Sequence, residues 1–166
     1  MQISSIVDII NGELQNSPFI SFITDIKIDP KKVKQGDLFL VQNQDDIPLA
    51  IQNGAFAILH QIQSIQIIDP EIAWIYVQDI DYALICLMRY ILTHHDLSIY
   101  HCDLVSQYLI QLYHNDFAHN VVILEENMFE NIIALNSIQE HCFIFSSNKT
   151  LLEQIYPDFE SFNTHT

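Results

Sequence analysis

Four of the six basic residues, Lys27, Lys31, Lys32 and Lys34, fall in one short polar stretch, with Arg89 and Lys149 alone elsewhere. On a chain of formal net charge −15, ammonium groups that close together form an electropositive spot on a repulsive body. They could meet a phosphate, a diphosphate or an acidic partner through charge-assisted hydrogen bonds. The same run is also what a solvated, lysine-rich turn looks like. Asp29 within it, and Gln42, Asn43 and Gln44 in the polar loop that runs on to Asp46, complete the candidate ligand-binding surface.

A second group gathers metal-ligating and nucleophilic types: His94, His95, His101, Cys102 and Asp103, with His114 and His119 further on. A metal wants two to four such ligands converging, and helical His-x₃-His spacing would support it. That spacing is absent and adjacent histidines usually point apart, so surface or internally satisfied histidines are expected; His94, His95, His101 and Cys102 are the metal candidates to check. Cys102 with a nearby His, or Ser146-Ser147, could be imagined as nucleophiles, but neither lies in a nucleophile elbow and no third group is fixed by spacing. The acidic pairs Asp45-Asp46 and Glu125-Glu126 are expected to cap helices or face solvent.

Glycine is the most informative count. Gly12, Gly36 and Gly54 are the only three, each isolated. A phosphate-cradling loop or a dinucleotide fingerprint needs clustered glycines, because the backbone must approach the phosphates and visit positive φ. Neither motif can be written here, so no ATP chemistry of that type and no cofactor is expected.

The elements that must position these groups alternate between strand and helix. Ile6, Ile9 and Ile10 predict a helix over 4–11, with Ser4 or Ser5 as N-cap and Gly12 at its C-terminal end. Residues 20–28 suggest one or two short strands, and 37–41 a clear one. Asp45 or Asp46 can cap a short helix with Pro48 in its first turn. Residues 55–59, 65–68 and 74–77 read as strands, and 80–92 as a helix with Leu84, Leu87, Met88 and Ile91 on one face. Beyond His94-His95, strands are expected at 97–100, 120–124 and 142–145. Helices are expected at 103–113, with Leu104, Tyr108 and Leu112 inward, at 128–135, and from Asn148 to Tyr156 before Pro157. Tyr76, Tyr82, Tyr90, Phe143 and Phe145 fall on expected buried faces. The pattern predicts an α/β fold with a partly parallel sheet in residues 1–95 and a small β-α-β-α segment in 96–166, packed together, with a seam near 93–97.

Apolar residues make up 49% of the 166 and charged residues 16%, which is a composition that folds. So negative a surface repels nucleic-acid backbones and anionic lipid, and neither is an expected partner. The N-terminus has no basic n-region or apolar h-region, and the apolar run at 72–92 is broken by Asp79, Asp81 and Arg89. No signal peptide or membrane span is therefore expected, and the location should be cytoplasmic. Cys86, Cys102 and Cys142 are odd in number and far apart, and read as reduced, mostly buried thiols.

The stretch Ile28-Asp29-Pro30-Lys31-Lys32-Val33-Lys34-Gln35-Gly36-Asp37-Leu38-Phe39 resembles the N-terminal domain of Mur ligases of the MurE/MurF type, whose pattern reads about T-D-S-R-K-V-K-P-G-D-L-F. Asp29, Lys32, Val33, Lys34, Gly36, Asp37, Leu38 and Phe39 fit it. The similarity continues in Ala50-Ile51-Gln52-Asn53-Gly54-Ala55-Phe56-Ala57, against A-I-x-x-G-A-x-A, and in Val77-Gln78-Asp79 leading to Ala83-Leu84. It also includes the opening helix that ends at Gly12-Glu13-Leu14. These pieces cover residues 1–93. They imply the family's fold there and a link to its chemistry, the ATP-driven addition of amino acids or dipeptides to the UDP-linked muramyl precursor of peptidoglycan.

Three departures bear on activity. Pro30 and Lys31 replace the family's serine and arginine, which removes a hydroxyl that could contact the uridine nucleotide. The segment between Phe39 and Gly54 is shorter and lacks the family's D-G-H-like loop. Where the family enters its central domain through a glycine-rich lysine motif, this chain has Tyr100-His101-Cys102-Asp103-Leu104-Val105-Ser106. At this length a full ATPase domain and a C-terminal domain are not expected. The resemblance therefore implies a non-catalytic relative, a binding or scaffold module near peptidoglycan-precursor metabolism, with residues 97–166 a shrunken remnant of the central domain. A protein partner is expected first. A UDP-linked muramyl precursor held at Lys31, Lys32 or Lys34 is the alternative, and a small metal- or thiol-dependent enzyme using the His/Cys cluster is the third class.

Overall fold

The computed structural model describes residues 1–116 and 120–162. Packing divides the chain into Met1–Leu87 and Met88–Thr166, a division that falls inside the helix Ile80–Thr93. The seam drawn from sequence lies a little further on, after that helix.

The first unit opens with α1 (Ile3–Ile10), whose Ile3, Ile6 and Ile10 are buried. The cap expected from Ser4 or Ser5 is not made. Gln2 is the N-cap residue, with no side-chain bond, because the helix begins before the serines. The left-handed residue at the other end is Asn11 (φ 52°) rather than Gly12. Gly12 is wanted for space instead, since a Cβ there would lie 3.1 Å from Ile75. Strands β1 (Glu13–Leu14), β2 (Ile26–Lys27), β3 (Leu38–Leu40), β4 (Ala57–His60) and β5 (Ala73–Tyr76) form one sheet in the order β1-β5-β4-β3-β2. Only β1 is antiparallel. Every residue of β3 and β4 is buried, the pattern of parallel strands covered on both faces.

Helix α2 (Ile47–Gln52) joins β3 to β4, and α3 (Ile80–Thr93) follows β5. Gly36 (φ 99°) and Gly54 (φ 105°) hold the turns into β3 and β4 and bond to each other, the Gly36 N–H donating to the Gly54 carbonyl at 3.0 Å. A Cβ on Gly54 would come within 2.7 Å of the Gln35 backbone, so no other residue fits there without a shift. The strand expected at 65–68 is absent. Ile65 and Ile67 instead pack from a loop onto the cluster around Trp74, so their apolar character serves the core without a ladder.

The second unit carries β6 (Leu97–Cys102), α4 (Leu104–Tyr113), β7 (Asn120–Ile123), α5 (Met128–Asn136), β8 (Cys142–Ser146), α6 (Lys149–Ile155) and β9 (Glu160–Phe162). It thus runs past the expected β-α-β-α to a fourth strand. The sheet is wholly parallel in the order β7-β8-β6-β9. Going from β6 to β7 crosses the sheet one way, while β7 to β8 and β8 to β9 cross it the other way. Right-handed connections then put α4 on one face and α5 and α6 on the opposite face. The faces differ accordingly: Ile99, Cys142, Ile144 and Ser146 are buried, whereas Tyr100, Phe143 and Phe145 are half-buried. Tyr100 stacks on Phe145 at 5.3 Å between ring centroids.

Helix α4 overturns an expectation. Leu104, Tyr108 and Leu112 point outward, and the buried residues are Ser106 and Ile110. Of the aromatics expected inside, Tyr82 is exposed and Tyr76, Tyr90, Phe143 and Phe145 are only half-buried.

Candidate functional site

The lysine stretch is built as a short crossover between β2 and β3. Asp29 caps a 3₁₀ turn at Pro30–Lys32, its carboxylate accepting from the Lys31 N–H at 3.0 Å. Asp29 therefore holds the turn's shape. Lys27 is committed as well, its ammonium pairing with Asp25 and lying 3.4 Å from the buried carboxylate of Asp37. Partial burial works to lower the Lys27 pKa, but Asp25 and Asp37 together hold it above the ordinary lysine value. Asp37 also accepts from the Thr24 hydroxyl (3.1 Å) and the Lys34 N–H (2.8 Å). The side chains of Lys31, Lys32 and Lys34 are exposed, and no ion pair to them occurs among the described residues. They are the part of the stretch open to a ligand.

Gln42, Asn43 and Gln44 are exposed at the end of β3, where Asn43 caps the 3₁₀ turn Gln44–Asp46 by accepting from the Asp45 N–H. That turn leads into the first residue of α2. The lysine turn is fastened at the other end of α2, where the Asn53 side-chain amide donates to the Pro30 carbonyl at 2.8 Å. The two halves of the candidate surface are thus set at opposite ends of a helix about 9 Å long.

A cleft of about 600 Å³ opens elsewhere in the first unit, beyond β4 and β5, lined by residues that include Asn11, Gln61, Gln78, Asp79 and Tyr82. Ligands favour the carboxyl ends of parallel strands, but two of these side chains are already engaged at the start of α3. Gln61 accepts from the Ile80 N–H, and Asp79 from the N–H groups of Asp81 and Tyr82.

The strand-to-helix junction of the second unit is as tight as a chain allows. Between β6 and α4 stands Asp103 alone. Its carboxylate accepts from the Ser106 N–H and from the Ser106 hydroxyl, each at 2.8 Å. The Ser106 backbone and side-chain bonds pull its pKa below the ordinary carboxylate value. A negative charge of the chain's own therefore sits at the positive end of α4. Burial, then Asp103 beside it, raises the Cys102 thiol, and burial pushes Cys142 up to about 11, so neither is an activated thiolate.

The imidazole of His94 lies on Tyr90 and its Nδ1 is 2.7 Å from the Tyr90 carbonyl, while His101 packs edge-on to Phe159. Among the described residues no three His, Cys, Asp or Glu side chains converge as a metal would require. His119 lies outside the described residues. No helix described is long and apolar enough to cross a membrane.

One histidine with a perturbed environment escaped the sequence reading. His60, buried at the end of β4, accepts the Ile62 N–H at Nδ1 (3.1 Å), which fixes its proton on Nε2, donated to the Gln15 side-chain oxygen at 2.7 Å. Burial drives its pKa down to about 4. A lone histidine after an apolar run carries no spacing signal, so only the fold could reveal it.

The two sheets and their helices define an α/β protein that, among the described residues, carries an exposed lysine turn and, at the start of α4, a helix end already filled by Asp103. No family model and no curated protein matches the sequence. Solved structures do. MurF from Acinetobacter baumannii matches with a TM-score of 0.61 at 17% identity, over 87% of this chain and 35% of that one. A MurF ligase from Thermotoga maritima in complex with ADP gives 0.57 at 19% identity, over 80% and 35%. A UDP-N-acetylmuramoyl-L-alanyl-D-glutamate–2,6-diaminopimelate ligase gives 0.56 at 17% identity, over 93% and 37%. The fold is Mur ligase-like, and the chain spans little more than a third of those ligases' length. Coverage that high reaches beyond the first unit, so the likeness continues past residue 93, where the sequence motifs stop. At these identities it is a likeness of fold alone.

Proposed function

We propose that this chain is a non-catalytic module of Mur ligase-like fold, a protein-interaction or scaffold part of peptidoglycan-precursor metabolism. The observation that carries the first half of this reading is the junction between β6 and α4. A triphosphate held by a strand-to-helix turn needs several backbone N–H groups, a lysine and slack in the loop. Here the turn is a single residue, and the Asp103 carboxylate occupies the Ser106 N–H with a charge that repels phosphate. The link to peptidoglycan precursors draws its support from the ligases that share the fold. Equilibrium dialysis against MgATP, with an assay for released phosphate, tests the proposal. No binding at millimolar nucleotide is expected; magnesium-dependent binding or phosphate release would end it.

A second reading keeps a ligand. Lys31, Lys32 and Lys34 stand exposed without ion-pair partners among the described residues, so the diphosphate of a UDP-linked muramyl precursor could be met there. Titration calorimetry with such precursors should show heat that a Lys31→Gln, Lys32→Gln, Lys34→Gln variant loses. No heat from the parent chain rejects this reading.

A further inference from the structure

The exposed face of α4 is apolar along its whole length. Leu104, Val105, Tyr108, Leu109, Leu112 and Tyr113 are each between 45% and 70% exposed, and the helix sequence Leu104–Tyr113 contains no charged residue. The inward side of the same helix is Ser106 and Ile110. An amphipathic helix on a finished surface has this the other way round. Taking about 150–250 Å² for a fully exposed aromatic and somewhat less for Leu or Val, the six expose on the order of 700 Å². The largest apolar patch on an ordinary monomer is about 300–600 Å², and a stable interface takes about 800 Å² from each partner. The patch is the size of one half of an interface.

The order of the residues says which partner. The stripe runs in pairs one turn apart: 104 and 105, 108 and 109, 112 and 113. Read backwards it is the same stripe. A two-fold axis passing between Tyr108 and Leu109 brings Leu104 against the partner's Tyr113, Val105 against the partner's Leu112, and Tyr108 against the partner's Leu109. Every apolar position then meets another, which is the self-complementarity an isologous contact demands. The rows 104-108-112 and 105-109-113 are both i±4 ridges, and ridges of that kind interdigitate at a crossing angle of about −50°.

Charge points the same way. A chain of net charge −15 would recruit a different protein most readily through basic residues on that partner. The stripe offers such a partner no carboxylate, and it is a surface where two copies can meet without bringing like charges together.

We propose that α4 pairs with α4 of a second copy, making this chain a homodimer through Leu104, Val105, Tyr108, Leu109, Leu112 and Tyr113. The proposal rests on the interaction reading above and supplies its partner. Because the rest of each copy is acidic, added salt screens their repulsion and tightens the dimer.

Sedimentation velocity of the full chain, from about 1 to 100 µM, should show a monomer–dimer equilibrium that shifts toward dimer between low and high salt. Leu109→Glu places two like charges at the axis and should weaken association about 100-fold or more. Thr150→Glu adds the same charge on α6, on the opposite face of the sheet, and should leave it unchanged within a factor of about 3. In a parallel experiment that needs no destabilising charge, Leu109→Cys should form a covalent dimer on mild oxidation and Thr150→Cys should not. A chain that stays monomeric at about 100 µM overturns the proposal. So does a dimer indifferent to Leu109→Glu, or equal cross-linking by both cysteines. A monomer that also fails to bind MgATP ends the α4 pairing and leaves the interaction reading standing, whereas MgATP binding ends that reading whatever the mass.

Discussion

The two sheets of this molecule are covered unequally, and the difference separates what folds the chain from what it can offer a partner. In the first, the residues of β3 and β4 are all buried and Trp74 sits fully enclosed, its indole N–H donating to the Asp69 carbonyl at 2.7 Å. In the second, β8 alternates buried and half-buried residues, and α4 turns its apolar side to solvent. A strand buried equally on both faces reads as a continuous apolar run; one whose two faces are covered unequally reads as alternation. In β8 the alternating partners are themselves aromatic, Phe143 and Phe145, so the less covered face is apolar too.

The widest gap between the sheets should appear on truncation. Trp74→Ala removes an enclosed ring and a satisfied donor and should cost about 3–5 kcal/mol in urea unfolding. Phe145→Ala, from the half-buried stack with Tyr100, should cost about half as much, because solvent already reaches the ring. Equal losses would mean the second sheet is as closed as the first and would remove the contrast.

Acid should act on the first sheet through His60. Its imidazole stays neutral in the folded chain until about pH 4, whereas in the unfolded chain it takes a proton near pH 6.5. The unfolded state binds more protons between those values, so stability is full above about pH 6.5 and falls as the pH is lowered toward 4. The loss approaches about 3 kcal/mol at the lower end. Denaturant midpoints measured at pH 7, 6, 5 and 4.5 for the parent chain and for His60→Gln isolate this contribution. The variant should show a shallower slope, and parallel slopes would show that folding does not shift the His60 pKa.

How much of this could be read from the residues follows from which forces act locally. Gly36 and Gly54 hold fixed places in the resemblance to the Mur pattern, and the structure gives both the positive φ that glycine takes without strain. The helix at 80–93 was legible because Leu84, Leu87, Met88 and Ile91 repeat with its period. The lysine turn was legible as a feature but not as a surface. That Asn53 would tie Pro30 to the far end of α2, and that Asp25 and Asp37 would claim Lys27, are contacts between segments that no spacing announces. Ile65 and Ile67 looked like strand because a loop that packs on a core is as apolar as a strand. In α4 periodicity gave the stripe and the assumption of burial gave its direction; the stripe is real and the direction is reversed, since burial belongs to the assembly a helix sits in.

That reversal makes the finest test of the comparison, within one helix. Ile110 lies on the inward face at 9% exposure and Leu112, two positions on, is 60% exposed. If the helix is oriented as described, Ile110→Ala should lower stability by about 2 kcal/mol at concentrations where the chain is monomeric. Leu112→Ala should change it by less than about 0.5 kcal/mol, the range of ordinary surface substitutions. Dilution matters to the second value, for a residue silent in the monomer gains weight when a partner covers it, by mass action. Repeating both melts at high protein concentration should leave the Ile110 effect unchanged and enlarge that of Leu112. A Leu112→Ala loss as large as that of Ile110→Ala in dilute solution would place the stripe inside the fold.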